Sequence, residues 1–230
     1  MAKRTRQLDL GLRDKPRWGG RRAGAGRKCG PSPRHDHRAR APLARCHPCH
    51  VTLKVRRGLP SLRTVRLLRE LERSFAAACE RGRFRLVQYS IQNDHVHILV
   101  EAAGTQELAC GMKSIAARVA RAVNRVFKRR GAVLADRYHL HVLGTPREVR
   151  HALAYVLLNA RRHLAKLGKR SAPRIDPASS GLWFSGWNRR FHPASSLPPP
   201  PVAPPHTWLL RVGWRRHGLI DPAEVPGPKS

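Results

Sequence analysis

The sequence predicts an α+β fold: a ferredoxin-like four-stranded antiparallel sheet with helices on one face and an added C-terminal helix that bears a tyrosine. Three observations carry this. From about His50 to Gly168 the chain leaves an Arg-, Gly- and Pro-rich composition for regular apolar periodicity. Within that stretch the periods of strand and helix follow one another in the order β-α-β-β-α-β-α. Two of the strands are separated only by a short turn through Asn93-Asp94, which makes them antiparallel neighbours.

The elements follow in chain order. His50-Val-Thr-Leu-Lys-Val55 alternates apolar and polar side chains, as a half-buried strand does. Ser61 is the expected cap of a first helix with an apolar face of Val65, Leu68, Leu71, Phe75 and Cys79, stopped by Gly82. Strands over residues 83–90 and 95–101 come next. Thr105 opens a second helix striped by Leu108, Met112, Ile115, Val119, Ala122 and Val126. Its other side carries Arg118, Arg121, Arg125 and Lys128. Residues 138–143 form the fourth strand. Thr145-Pro-Arg-Glu148 is a capping box with Pro at the first helical position, and the third helix it starts runs to about Leu167 and ends at Gly168.

This folded domain spans residues 43–168. Residues 1–42 read as a disordered basic arm, and residues 169–230 as a Pro-rich irregular tail with a small Trp-containing docking segment at 207–214. Lys and Arg number 46 against 14 Asp and Glu, a formal net charge of +32. Such an excess repels itself unless a polyanion answers it, so nucleic acid is the expected partner. A membrane partner is not expected, because no exposed amphipathic face, signal segment or membrane-spanning run is visible. Five irregularly spaced cysteines suit a reducing compartment, and the expected location is the cytoplasm, in association with the nucleoid.

The sharpest motif is Asn93-Asp-His-Val-His-Ile-Leu-Val100. On a strand, Val96, Ile98 and Val100 face one layer while His95 and His97 share the other. Two neutral imidazoles on one face can converge on a divalent metal, although on this tripeptide alone solvated or hydrogen-bonded histidines are the commoner reading. His139-Leu-His141 repeats the spacing on the fourth strand and reads as structural or phosphate-facing. Of the three tyrosines, Tyr89 and Tyr138 sit in strands, where a half-buried aromatic is ordinary. Tyr155 lies nearly opposite the apolar face of its helix (Val149, Leu153, Val156, Leu157, Ala160, Leu164), alongside Glu148, Asn159 and Arg162. Core packing does not explain it. Cys46-His-Pro-Cys-His50 has the spacing of a c-type haem attachment or of half a zinc site, but it lacks the export signal the first requires and the second ligand pair the other requires.

A histidine-hydrophobe-histidine strand, a basic helix, a further strand and a helix with a lone tyrosine together resemble the HUH single-tyrosine transposases, and among them the REP-associated tyrosine transposases. The segments that carry the likeness are His50-Val-Thr-Leu-Lys, the Asn-Asp-His-Val-His strand, Asp136-Arg-Tyr138, Thr145-Pro-Arg-Glu148 and Tyr155-Val-Leu-Leu-Asn159, in order over about residues 47–165. The resemblance implies cleavage and rejoining of single-stranded DNA beside a hairpin, through a 5′-phosphotyrosine intermediate. It implies a divalent ion, Mg²⁺ or Mn²⁺, held by His95 and His97 with Asn159 as third ligand. It makes Tyr155 the nucleophile and a homodimer the working form. Where relatives often read Asn-Pro after the tyrosine, this chain has Asn159-Ala160. Lys113, Arg118, Arg121, Arg125, Lys128 and Arg162 are the expected contacts to DNA phosphates.

Two other functions fit parts of the pattern. One is a hairpin-binding protein of the same fold without chemistry, against which His95, His97 and Tyr155 stand together. The other is a basic RNA-binding protein, which would place stacking aromatics rather than histidines on the sheet face.

Overall fold

The computed structural model describes residues 41–168, 174–188 and 197–227; the expected basic arm lies outside them apart from its last two residues. The sheet has five strands: β1 (Cys49–Lys54), β2 (Glu80–Arg81), β3 (Phe84–Ile91), β4 (His95–Ala102) and β5 (His139–Val142). Their order is β2-β3-β4-β1-β5 with every pair antiparallel. The α+β class therefore holds, with one strand more than the four expected. The extra strand is the two-residue β2, which folds back on Phe84 and Arg85 across a turn where Gly82 has φ of +56°. A two-residue strand has no periodicity to read.

Alternation along β4 divides the molecule. Val96, Ile98 and Val100 are wholly buried in the first core, with Val51 and Leu53 of β1, Leu86 of β3 and two helices, α1 (Val65–Ala76) and α2 (Thr105–Val126). Leu99, on the other face, belongs to a second core under α3 (Pro146–Leu157). Helices thus cover both faces. Gly111 of α2 lies so near Phe84 that a Cβ there would fall 2.2 Å from the ring, and the missing side chain lets helix and sheet close up.

The first helix departs from expectation. It starts at Val65 after Thr64, and its buried residues are Leu67, Leu71 and Phe75, while Val65 is exposed. Ser61 does not cap it; its hydroxyl donates to Asn93 Oδ1 (3.0 Å) and accepts from the Arg63 amide. That links the approach to α1 with the β3–β4 turn. The helix ends at Ala76, short of Gly82. The capping box of α3 forms as expected: Thr145 Oγ1 accepts from the Glu148 amide, and Glu148 Oε2 accepts from the amides of Thr145 and Gly144. The expected single helix breaks at Leu158, and α4 (Asn159–Lys166) continues from there.

The C-terminal segment packs on α3. The expected docking stretch forms a one-turn helix, α5 (Trp208–Arg211), followed by a 3₁₀ turn over Gly213–His217. Trp187, Leu209, Leu210, Trp214 and Ile220 all enter the second core. The buried Glu101 carboxylate at the end of β4 accepts from the amides of His206 and Thr207 and from the Thr207 hydroxyl, all at 2.7–2.8 Å. Arg63 holds Asp176 through two bonds, and Arg150 of α3 holds Glu224 the same way at 2.7 and 2.8 Å. Trp214 is only 1% exposed, so Trp214→Ala should lower unfolding stability by about 3–5 kcal/mol, read from denaturant curves. A loss within the range of an ordinary surface substitution would show that the segment is not part of the cooperative unit.

Candidate active site

Strand pairing assembles the site. On the α3 face of the sheet, Ser90, His97, Thr52 and His139 stand in one row across β3, β4, β1 and β5, and Leu99, His50 and His141 in the next. His50, Thr52, His97, His139 and His141 therefore share one surface although they come from three strands that are far apart in sequence.

His95 Nε2 and His97 Nε2 lie 3.0 Å apart. The outer nitrogens are both engaged. His95 Nδ1 donates to Asp94 Oδ1 at 2.7 Å; this bond foremost, despite the cost of burial, holds the Asp94 carboxyl below its ordinary range. His97 Nδ1 sits 3.1 Å from Thr52 Oγ1 and 3.2 Å from His50 Nε2. Asp94 favours the His95 tautomer that leaves a lone pair on Nε2, whereas Thr52 and His50 can either accept from His97 Nδ1 or donate to it. Two lone pairs at 3.0 Å repel unless a proton or a cation lies between them. The spacing also suits two adjacent ligands at about 2.1 Å from one ion, and outer partners of this kind are what metal-binding imidazoles use to fix their orientation.

Tyr155, half-buried on α3, meets this pair. Its ring centroid is 5.1 Å from that of His97 and 5.6 Å from that of His50, both edge-on. The Arg162 guanidinium lies over the same ring at 5.0 Å. Asn159, one turn beyond Tyr155, is 1% exposed, and neither amide atom of its side chain has a hydrogen-bond partner. An orphaned buried amide is expensive unless something completes it. Among the described residues no group of three or more His, Cys, Asp or Glu is placed to hold a metal ion. Two imidazoles and an amide oxygen are donor types that divalent ions accept.

Reading the sequence missed His50, Thr52 and His163. The first two reach His97 only through the β1–β4 register, which no local motif announces. His163, on α4, has its ring 6.5 Å from that of His95. Burial, then the neighbouring His95, Lys166 and Arg162, holds its pKa below the ordinary value. Tyr89 is set apart from the site by the sheet itself, buried against Phe75 with its hydroxyl's pKa pushed far up by burial and then by Glu72. Cys49 points into the first core while His50 faces the other way, so the Cys46-His-Pro-Cys-His50 residues do not converge.

The expected DNA contacts divide. Arg162 joins the site through Tyr155. Lys113, Arg118, Arg121 and Arg125 lie on α2, which packs on the opposite face of the sheet, and Lys128 lies in the turn just beyond its end. Lys113, Arg121 and Lys128 are exposed, whereas Arg125 is paired with Glu70 and Arg118 is half-buried. Among the described residues no helix is long and apolar enough to cross a membrane.

The family model of IS200-like transposases matches residues 48–157. Two solved structures are similar to the chain: a REP-associated tyrosine transposase bound to a REP hairpin (14% identity, 56% of this chain and 74% of that one covered, TM-score 0.44) and a protein from Deinococcus radiodurans described as a candidate transposase (13% identity, 60% and 99% covered, TM-score 0.35). No curated protein matches the chain. Residues 48–157, which run from β1 to the end of α3 and hold His95, His97 and Tyr155, match the IS200-like transposase family.

Proposed function

We propose that the chain cleaves and rejoins hairpin-flanked single-stranded DNA through a 5′-phosphotyrosine on Tyr155. The observation that carries the reading is the approach of Tyr155 to the converging imidazoles within one chain: its ring is 5.1 Å from His97, whose Nε2 is 3.0 Å from that of His95.

The Tyr155 oxygen attacks phosphorus and the bond from phosphorus to the 3′-oxygen breaks. The released 3′-oxygen takes up a proton, the phenol gives one up, and the strand's 5′-phosphate is esterified to the enzyme. Joining is the reverse, with a 3′-hydroxyl as nucleophile. The phosphoester bond is exchanged rather than hydrolysed, so its energy is kept for joining. Arg162 places positive charge over the ring that must become phenolate. Thr52, His50 and Asp94 hold the two imidazoles in position. When bound at His95, His97 and Asn159, Mg²⁺ or Mn²⁺ would polarise a phosphoryl oxygen and neutralise charge that repels the nucleophile.

Tyr155→Phe should bind a hairpin strand as the wild type does yet form no denaturant-resistant protein–DNA species. Tyr89→Phe and Tyr138→Phe should still form it. An adduct that survives Tyr155→Phe overturns the assignment, and no adduct with any protein or hairpin favours the binding-only reading.

Because one chain already brings Tyr155 to His97, we place the tyrosine in action within its own subunit, whether or not the expected homodimer forms. A mixture of Tyr155→Phe and His97→Ala chains should therefore remain inactive. Activity restored by mixing would show that the tyrosine is exchanged between subunits.

α2 lies on the far face of the sheet, so the role of its exposed cations Lys113 and Arg121, and of Lys128 in the turn that follows, is affinity rather than chemistry. Changing Lys113, Arg121 and Lys128 together to Ala should reduce the slope of log K against log[salt] by about 2 for a single strand, with the adduct yield at saturating DNA unchanged. An unchanged slope would remove α2 from the DNA footprint.

A further inference from the structure

We propose that the cavity on the β5 side of Tyr155 is a subsite for one unpaired nucleobase of the strand being cut. The proposal rests on the phosphotyrosine reading for the identity of the strand, and on the cavity for everything else.

The cavity holds about 300 Å³ and is lined by Tyr155 itself, by His139 and His141 of β5, by Glu148 and His151 of α3, and by Glu224 of the C-terminal segment. That volume is at the small end of ligand sites, enough for one base without its pairing partner. Because Tyr155 forms part of the wall, an occupant lies within about one nucleotide of the phosphorus that Tyr155 attacks.

The charge of the lining selects the base over the phosphate. Among the described residues no Lys or Arg lines this cavity, whereas two carboxylates do. The Glu148 carboxyl is kept below its ordinary range: burial opposes this, but bonds from the amides of Gly144 and Thr145 and the nearness of His141 outweigh it. A phosphate entering here would meet the Glu148 carboxylate, while Glu224 already holds Arg150. A neutral heterocycle would meet imidazoles able to stack on it and to hydrogen-bond its edge. Leu143, Ala152 and Ala154 supply the apolar remainder.

The lining is also built rather than incidental. His139 and His141 share a strand face, opposite Thr52 and His50, and His151, Tyr155 and Glu148 fall on one arc of α3. The wall from the C-terminal segment is tied down by Arg150, which bonds both Glu224 oxygens and the carbonyl of Leu219, and by Arg161, which donates to the Ala223 carbonyl at 2.9 Å. This gives the second histidine pair a role that the cleavage chemistry leaves unassigned.

The test uses the full chain. Saturation-transfer NMR with each of the four deoxynucleosides, without metal, should show transfer to the base protons of at least one of them. Binding should weaken about tenfold in the His141→Ala/His151→Ala double variant, as for loss of a stacked base; both histidines are exposed, and thermal melting checks that the variant is folded. No transfer to base protons, an undiminished signal in the folded variant, or displacement by inorganic phosphate each overturns the subsite. In a parallel arm, an abasic residue is walked through a hairpin strand and adduct formation is followed. A drop confined to one position beside the cut bond supports the subsite, and indifference at every position overturns it. Base contact without any adduct leaves the subsite standing and removes the phosphotyrosine reading, so the two fail separately.

Discussion

Two imidazole nitrogens 3.0 Å apart, each with its outer nitrogen already engaged, impose the main constraint on this molecule. That spacing calls for a proton or a cation between them, and neighbouring elements hold it. Asp94 holds His95 from the β3–β4 turn; Thr52 and His50 hold His97 from the adjacent strand. The register of β1 against β4 is therefore a functional quantity. A slip of one residue would turn Thr52 and His50 into the apolar core and bring Val51 and Leu53 to face the histidines. Val51, Leu53, Val96, Ile98 and Val100, all essentially inaccessible, make such a slip costly. The hydrophobic face of the sheet thereby secures the polar one.

Much of this was legible in the residues, and the part that was not has a common cause. The alternation through β4, the second helix with its stripe, and the Thr145–Glu148 capping box are local patterns, and each appears where its pattern put it. Ser61 has the character of a helix cap, yet its hydroxyl goes to Asn93, a partner distant in sequence. A serine's choice between a cap and a tertiary bond is not written in its neighbours. Tyr155 was conspicuous because it lies off the apolar face of its helix. Its meeting with His50 and Arg162 depends on how α3 crosses the sheet and on the break at Leu158, and both are set by packing. The expected third helix fell short for the same reason: periodicity runs through Leu158, but the backbone there leaves the α-helical region.

The separation of charge from chemistry follows from the same two-faced sheet. The α2 cations lie on the face opposite Tyr155, and among the described expected phosphate contacts only Arg162 touches the tyrosine. A strand that engages both must pass around the sheet rather than lie across one basic groove. Affinity gathered at a distance does not depend on the transition state, whereas Arg162 lies over the ring that the proposed reaction would charge.

The last dependence runs through the C-terminal segment, beyond the residues that match the family. The buried residues of α3, from Ala152 through Val156, Val149, Leu153 and Leu157 to Ala154, sweep about 200° of the helix at 100° per residue. One face of a sheet cannot cover so wide an arc. Trp187, Leu209, Leu210, Trp214 and Ile220 cover the remainder, and Arg150 binds the segment from the helix side. With the helix packed from both sides, the narrow arc left over carries His151, Tyr155 and Glu148. The tyrosine can turn neither toward the sheet core nor toward the segment without giving up buried contacts, so its approach to His97 is fixed by what surrounds the rest of the helix. Chemistry placed in one segment of the chain thus takes its geometry from another.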